Sequence, residues 1–498
     1  MDDEIRNHGD DTSSSRQRCQ TRDTLIEMRT HFHSVNLHIL TSHLFSSHKI
    51  HTKYHDTHAV WGKSHHPSKD GKMANAEQKI HGHGDGMPVW IGDAEIDPTW
   101  IERRLALPCI SCHVEDASNA TRRGGGGIAR NGATLRLNVV SRDGDRTSFI
   151  MKQVPQGERQ LSVGLGLARE AIFYNELAPQ LQAAIDDDDD DSSPLFPRIH
   201  YSWGDMSSGG KVIVMEDLTG SFVDSGILFG PGNPNNWDRN LDQLISQAFD
   251  AGDAIPSSKQ VTMKTFVGVA RIHAKYWRDS KLLNSSWLRG SEWIQGKSRE
   301  SWEYSQMLIE RLWKTYTERE ANNSISWDPL VRELVEVSLD GISWDAQLQR
   351  INVSTHWTLV HGDFWPGNVL WSFEKGSESG SLRLIDWEMV GLGSGPHDLG
   401  QYILSNMDPS ERRACEVDVV RAYYDELVRL GVREFSWDQC WSEYRIGGLE
   451  RWLWFLIYFA GQDPGTPMLK WAQFFHDQIA AFVDDHNIKV SDITQPRP

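Results

Sequence analysis

Residues 358–399 contain the pattern that most restricts the folds open to this chain. His361 and Asp363 flank a glycine, and Asn368 follows five residues after Asp363. Two short apolar segments come next, separated by a stretch rich in glycine and serine, and the second segment ends at Asp386. Segments of this kind predict a β-hairpin. Because a hairpin turns the chain back on itself, it returns Asp386 towards the loop that holds Asp363 and Asn368.

The side chains gathered in this way offer hard oxygen ligands. Asn368 and Asp386 supply an amide oxygen and a carboxylate, which suit Mg²⁺, an ion that takes few protein ligands and keeps waters or phosphate oxygens. Asp363 is a separate carboxylate that can accept a proton from a hydroxyl nucleophile. Glu388 lies two residues after Asp386 and is a further carboxylate that can help to hold the metal.

The rest of the chain divides into segments of different composition. Residues 1–86 contain 13 of the 21 histidines and no sustained helical or strand period, so we interpret them as a disordered or mispredicted extension rather than a metal site. In residues 87–217, alternating segments at 134–140 and 148–154 predict an antiparallel hairpin. From residue 218 to 498, a loop is followed by mainly helical patterns, apart from the hairpin described above.

Several shorter segments complete this outline. Residues 168–181 have an apolar face at helical spacing, and 211–215 have the pattern of another strand. The six aspartates at 186–191 predict a solvated surface loop, because like charges this dense repel one another. The apolar stretch 453–460 is too short for a membrane span of about 20 residues, so we expect a buried helix there.

The overall charge excludes some classes of partner. The chain carries 51 Lys and Arg against 69 Asp and Glu, a formal charge of −18, which argues against binding to nucleic acid or to an anionic membrane. The start of the sequence is acidic and polar, so we expect no secretory leader there. Five cysteines are too few for a disulfide scaffold, so we expect a cytoplasmic protein. The sequence Cys109-x-x-Cys112-His113 matches a haem-attachment motif. We reject haem attachment because no export feature accompanies the motif.

The order and spacing of the catalytic-loop residues resemble the aminoglycoside phosphotransferase and choline kinase family, a branch of the protein-kinase-like fold. That family carries His-Gly-Asp, four residues, Asn, and then a strand ending in Ile-Asp-Trp-Glu or Ile-Asp-Phe-Glu, and the pattern is complete here. The resemblance covers roughly residues 95–485 and is closest to the ecdysteroid-kinase-like small-molecule kinases. It implies an α+β fold of two lobes, with a small β-rich N-lobe at 87–217 and a larger, mainly helical C-lobe at 218–498.

The resemblance also implies how a nucleotide is held. Lys152 matches the family's phosphate-contacting lysine, and Glu170, 18 residues later, matches the glutamate that fixes it. The other candidates for cofactor binding are Gly125, Gly126, Gly127, Glu216 and Leu218. The glycines are placed to form the loop over the phosphates, but they lack the Gly-x-Gly-x-x-Gly spacing and equally suit a flexible linker. Glu216 and Leu218 resemble the hinge between the lobes, whose backbone contacts the adenine in this family.

In the C-lobe, the resemblance implies transfer of the γ-phosphoryl group of ATP to a hydroxyl of a small molecule. Asp363 is expected to orient and deprotonate the acceptor hydroxyl, Asn368 and Asp386 to hold Mg²⁺, and His361 to shape the catalytic loop. Asp398 matches an aspartate that braces this loop, or it caps the helix that begins there. His273 is expected to be a core histidine.

The acceptor stays open among aminoglycosides, choline-like amines, hydroxylated steroids, sugars and amino-sugars. Aromatic faces can hold a flat or cationic acceptor, and the tryptophans near the expected acceptor pocket are Trp237, Trp277, Trp287, Trp293 and Trp302. Core packing is the simpler explanation for most of them. A protein kinase is discounted, because position 365 is Trp rather than Lys and Asp386 is followed by Trp-Glu. A catalytically inactive kinase-like module that only binds nucleotide or ligand is the alternative.

Overall fold

A computed structural model describes most of the chain after residue 96. The described ranges are 97–117, 133–154, 156–186, 194–237, 239–249, 255–289, 299–319, 325–341, 356–372, 380–462 and 468–494. They lie in one unit that spans Asp93–Pro498. The predicted extension 1–86, the glycines at 125–127 and residues 187–191 of the aspartate run lie outside the described residues.

The N-lobe is built on one antiparallel sheet. Its strands are β1 (Cys109–Asp116), β2 (Ala133–Ser141), β3 (Arg146–Gln153), β4 (Ile199–Asp205) and β5 (Gly210–Glu216). They lie side by side in the order β1-β2-β3-β5-β4. The predicted hairpin is formed by β2 and β3, in which alternate side chains such as Leu137 and Met151 are buried. In this register Lys152 pairs with Ile213 of β5, near the middle of the sheet.

Four helices accompany this sheet: α1 (Pro98–Leu105), α2 (Arg159–Leu165), α3 (Arg169–Glu176) and α4 (Ala178–Asp186). The single helix expected at 168–181 is wrong, because the chain divides it at Leu177 into α3 and α4. Pro179 explains the break, since proline has no N–H to donate and clashes with the preceding turn. Helix α1 is capped by Asp97, whose side chain accepts from the backbone N–H of Thr99 at 2.9 Å.

The C-lobe is mainly helical. Its helices are α5 (Leu241–Ala248), α6 (Ser258–Lys275), α7 (Arg299–Arg319), α8 (Pro329–Gly341), α9 (Gly395–Asn406), α10 (Pro409–Arg429), α11 (Trp437–Ala460), α12 (Met468–Asp485) and α13 (Val490–Thr494). The expected helix at 453–460 is the last part of α11, and nearly all of its side chains are buried. No helix in the described part of the chain is both long and apolar enough to cross a membrane.

Two small sheets carry the loop of His361, Asp363 and Asn368, which we call the catalytic loop. Their strands are β6 (Val223–Asp224), β7 (Trp357–Val360), β8 (Val369–Ser372), β9 (Ser381–Leu384) and β10 (Gly391–Ser394). The predicted hairpin is β8–β9, which pairs antiparallel, while β7 pairs with β10. The catalytic loop thus connects β7 to β8, and the Asp386 segment connects β9 to β10. The predicted α+β fold, with a small β-rich lobe and a larger helical lobe, is confirmed.

Helix α9 is held close to α11 by a pair of glycines. A Cβ atom added at Gly448 would lie 2.4 Å from the backbone of Gly400, and one added at Gly400 would lie 2.9 Å from that of Gly448. Only glycine permits two helix backbones to approach so closely. This contact fixes the position of α9, whose Asp398 and Gln401 reach the catalytic loop.

Candidate active site

Lys152 and Glu170 are brought together, as the family resemblance implies. Lys152 projects from β3, and Glu170 lies in the first turn of α3, fully buried. The Lys152 ammonium donates to Glu170 Oε1 at 2.8 Å and also to Asp386 Oδ1 at 2.8 Å. Burial alone would lower the pKa of Lys152, but the carboxylates of Asp386 and Glu170 outweigh it and raise that pKa well above its ordinary value. The lysine is therefore charged.

Asp386 occupies a backbone conformation that few residues adopt. Its φ of 68° lies in the left-handed region, which aspartate tolerates better than most residues. The next residue, Trp387, is fully buried and stacks on Phe173 of α3 with ring centroids 4.2 Å apart. This packing locks the segment against the N-lobe helix. Burial raises the pKa of Asp386, but the charge and hydrogen bond of Lys152 outweigh it and lower the pKa, so the carboxylate is ionised.

A second lysine, which the sequence reasoning missed, lies in the same cluster. Lys211 at the start of β5 is buried, and its ammonium donates to Glu170 Oε2 at 2.9 Å and to Glu388 Oε1. Burial raises the pKa of Glu388 to about 7, with Asp386 adding to the rise and Lys211 opposing it. The only signal in the sequence is a lysine that opens an otherwise apolar strand.

The catalytic loop is braced by the first turn of α9. The Asp398 carboxylate accepts from the backbone N–H of His361 at 2.7 Å and from that of Gly362 at 3.0 Å. Ser394, rather than Asp398, is the N-cap residue of this helix, so the bracing interpretation of Asp398 is the one that the geometry supports. Burial raises the pKa of Asp398, but the neighbouring His273 and the backbone N–H of His361 outweigh it and lower the pKa.

His361 is buried and links the two segments of the site. Its Nε2 lies 3.0 Å from the carbonyl oxygen of Ile385, and its Nδ1 accepts from the backbone N–H of Asp363 at 3.3 Å. A carbonyl can only accept, so Nε2 carries the hydrogen of a neutral ring. Burial agrees with this assignment, because it lowers the pKa of His361. The ring therefore shapes the loop without a charge of its own.

The carboxylate of Asp363 is held from two sides. Asn368 Nδ2 donates to Asp363 Oδ2 at 3.2 Å and to its backbone carbonyl at 2.9 Å. Gln401 Nε2, from α9, donates to Asp363 Oδ1 at 3.3 Å. The sequence reasoning missed Gln401, although it lies three residues after Asp398 and therefore on the same helix face. One helix thus positions both the loop backbone and the carboxylate that the loop presents.

The residues expected to hold Mg²⁺ fit that ion in their chemistry. The Asn368 amide nitrogen donates to Asp363, which leaves its amide oxygen as the group able to ligate a cation. Asp386 is ionised, and one ligand atom from each of Glu170, Asp386 and Glu388 lies within 4.8 Å of the others. Two of these three carboxylates, Glu170 and Glu388, already accept from Lys211. Asp386 accepts from Lys152, but its side chain is 14% exposed whereas that of Glu170 is fully buried, so Asp386 is the more open of the two to an ion.

The remaining predicted residues are dispersed. Glu216 ends β5, and its carboxylate accepts from the backbone N–H of Arg198 at 2.9 Å, apart from the cluster of charges. The Leu218 carbonyl accepts from the backbone N–H of Ser221 at 3.1 Å and from that of Phe222 at 3.0 Å. His273 is a buried core residue, as expected, and its Nδ1 lies 2.9 Å from the Tyr423 hydroxyl.

The tryptophans suggested for an acceptor pocket do not form one group. Trp237 packs against Trp471 with ring centroids 5.5 Å apart and ring planes tilted by 57°, and Trp277 packs on Phe435 at 4.9 Å. Trp287 instead donates from Nε1 to Glu176 of α3 at 3.1 Å. Trp293 and the side chain of Trp302 lie outside the described residues. The three that are described serve separate parts of the structure, as the packing explanation expects.

Comparison with solved structures returns kinases of small molecules as similar chains. A microcompartment-associated aminopropanol kinase is 13% identical and covers 80% of this chain and 100% of its own, with a TM-score of 0.43. A choline/ethanolamine kinase family protein from Mesorhizobium loti is 11% identical over 74% of this chain and 91% of its own, with a TM-score of 0.40. A macrolide 2′-phosphotransferase from Brachybacterium faecium is 13% identical over 75% and 95%, with a TM-score of 0.36.

A comparison with curated proteins found no match. A scan against family models matched residues 299–433 to the Ecdysteroid kinase-like family. This range contains the catalytic loop, the β8–β9 hairpin, the Asp386 segment and the bracing helix α9. The match to the Ecdysteroid kinase-like family over residues 299–433 confirms the resemblance that the catalytic-loop motifs predict.

Proposed function

We propose that the protein is a small-molecule kinase that transfers the γ-phosphoryl group of ATP to a hydroxyl of its acceptor. The observation that carries this proposal is the Lys152 ammonium, which lies 2.8 Å from both Glu170 and Asp386. A phosphate-binding cation, its fixed partner and a metal-binding carboxylate are thus in contact. Catalysis of phosphoryl transfer needs mainly positioning and charge neutralisation, and this cluster provides both.

The residues expected from the sequence have the following tasks in this proposal. Lys152, set by Glu170, contacts the α- and β-phosphates, and the hinge at Glu216 and Leu218 meets the adenine through its backbone. Asp363 orients the acceptor hydroxyl and accepts its proton, and its carboxylate is already fixed by amide groups on both oxygens. His361, as a neutral ring, keeps the loop in shape.

Asn368 and Asp386 would hold Mg²⁺, which when bound neutralises charge on the phosphates. Lys152 already contacts Asp386, so phosphates that reach the metal carboxylate also reach the lysine. We place the protein in the cytoplasm, because the four cysteines in the described ranges are free and buried, which suits a reducing compartment.

The proposal is tested by release of ADP from Mg·ATP in a panel of hydroxylated acceptors. The panel should contain aminoglycosides, choline-like amines, hydroxylated steroids and sugars, and the full chain should be used. We expect at least one class of acceptor to raise ADP release above the background hydrolysis of ATP, and the phosphorylated acceptor to be found by mass spectrometry. Binding of Mg·ATP without turnover on any acceptor of the panel would instead favour the inactive nucleotide-binding module.

A further inference from the structure

Lys211 has no task in the roles proposed above, although it lies in the centre of the charged cluster. Its ammonium shares Glu170 with Lys152, since Lys152 contacts Oε1 at 2.8 Å and Lys211 contacts Oε2 at 2.9 Å. It also contacts Oε1 of Glu388. A buried ammonium with two carboxylate partners is costly to desolvate, so its presence requires a reason.

Lys211 is too deep in the protein to touch a phosphate. Its side chain is 1% exposed, whereas the side chains of Lys152 and Asp386 are 13% and 14% exposed. Lys152 and Asp386, with Glu388 at 12% exposure, therefore form the more exposed side of the cluster, and Lys211 with Glu170 forms its closed end. Any effect of Lys211 on the nucleotide must pass through the carboxylates that it contacts.

The charge balance of the cluster indicates what that effect is. With Glu388 ionised, the three carboxylates Glu170, Asp386 and Glu388 face two ammonium groups, which leaves a single excess negative charge. Without Lys211 the excess would double. Lys152 would be the one ammonium left among these five groups, beside the Arg169 guanidinium, which donates to the backbone carbonyl of Glu388 at 2.9 Å. Glu388 Oε1 lies 3.9 Å from Lys152, close enough to compete with Glu170 for it.

We infer that Lys211 is a positioning residue that neutralises Glu388 and thereby keeps Lys152 on Glu170, in the orientation needed to bind the phosphates of ATP. This inference rests on the proposed function, because it concerns the same nucleotide site. Lys211 acts as an internal counter-ion: it binds Glu388, so that Glu388 does not compete with Glu170 for Lys152. The family resemblance assigns a role to Lys152 and Glu170, and the geometry adds Lys211 to them.

The test is a double-mutant cycle on the affinity for Mg·ATP, measured by isothermal titration calorimetry on the full chain. Lys211→Met should weaken binding by about tenfold or more, because an uncompensated Glu388 attracts Lys152 and repels phosphate. Adding Glu388→Gln should restore the affinity to within about threefold of the Glu388→Gln single variant. Lys152→Met should weaken binding as well, but Glu388→Gln should not restore it. A purely structural role would not produce rescue by removal of the opposing charge.

Two results would overturn the inference. One is a Lys211→Met variant that binds Mg·ATP as tightly as the wild type, and the other is a loss that Glu388→Gln does not restore. If Lys211→Met alone does not fold, the comparison of Glu388→Gln with the double variant decides: equal affinities support the inference, and a tenfold weaker double variant refutes it. A wild type that binds no Mg·ATP would refute the proposed function itself, so the two failures are distinguishable.

Discussion

Replacing Asp363 by Asn should lower the rate of phosphoryl transfer by about 10²–10⁴-fold, the usual contribution of a general base. Asparagine has nearly the same shape, and its single oxygen can still accept from Asn368, while its NH2 group replaces the oxygen that accepts from Gln401. It cannot take a proton from the acceptor. Since the proposed function assigns the nucleotide to Lys152 and Asp386, we expect the affinity for Mg·ATP to stay within about threefold of the wild type.

The measurement is the rate of ADP release with the best acceptor of the panel, beside calorimetric titration with Mg·ATP. Asp408→Asn is the matched control, because Asp408 is the N-cap residue of α10 and asparagine caps a helix equally well. We expect the control to keep both activity and affinity. An Asp363→Asn variant that transfers phosphate at a rate close to that of the wild type would show that the acceptor proton goes elsewhere.

Replacing Gly362 by Ala should destabilise the fold by about 3 kcal/mol or more, from a steric clash and a strained backbone together. The φ of Gly362 is +76°, and an added Cβ would lie 1.8 Å from Nη2 of Arg289 and 2.3 Å from the carbonyl oxygen of Met389. Arg289 is buried, and its own backbone is hydrogen-bonded to Val390 and Leu392. Neither neighbour can withdraw without disturbing the Asp386 segment.

Unfolding in urea, followed by tryptophan fluorescence, measures this loss. Gly431→Ala is the matched control, because Gly431 has a φ of +92° but nothing within 4 Å of an added Cβ. The control should lose about 1 kcal/mol, which is the cost of the left-handed backbone alone. Equal losses in the two variants would mean that the catalytic loop can move away from Arg289, and would contradict the rigid packing described here.

The catalytic loop could be predicted because its functional side chains are close together in the sequence. One loop contains His361, Asp363 and Asn368. Glycine and serine residues between two apolar segments predict the hairpin that returns Asp386 to this loop. Lys152 and Glu170 followed from the family resemblance, and the structure places them in contact. Such features need only local patterns and spacing.

The site residues that could not be predicted from the sequence, Lys211 and Gln401, depend on contacts between segments that are distant in the chain. Lys211 looks like the polar start of a strand until the fold places it between Glu170 and Glu388, which are far away in the chain. Gln401 contacts Asp363 only because the fold packs α9 closely against α11, with Gln401 on the side that faces the catalytic loop. Strands β1 and β4 were also missed, since their alternation is weak: β4 is half-buried along its whole length.

The most direct test of the account is thermal unfolding of the full chain with and without Mg·ATP, for the wild type and for Asp386→Asn. A ligand at 100 times its Kd adds about 2.7 kcal/mol of stability, which raises the midpoint of unfolding visibly. We predict that Mg·ATP stabilises the wild type, that ATP with EDTA stabilises it much less, and that Asp386→Asn shows no difference between the two. A wild type whose midpoint does not respond to Mg·ATP, or a variant that responds equally, would contradict the nucleotide site proposed at Lys152 and Asp386.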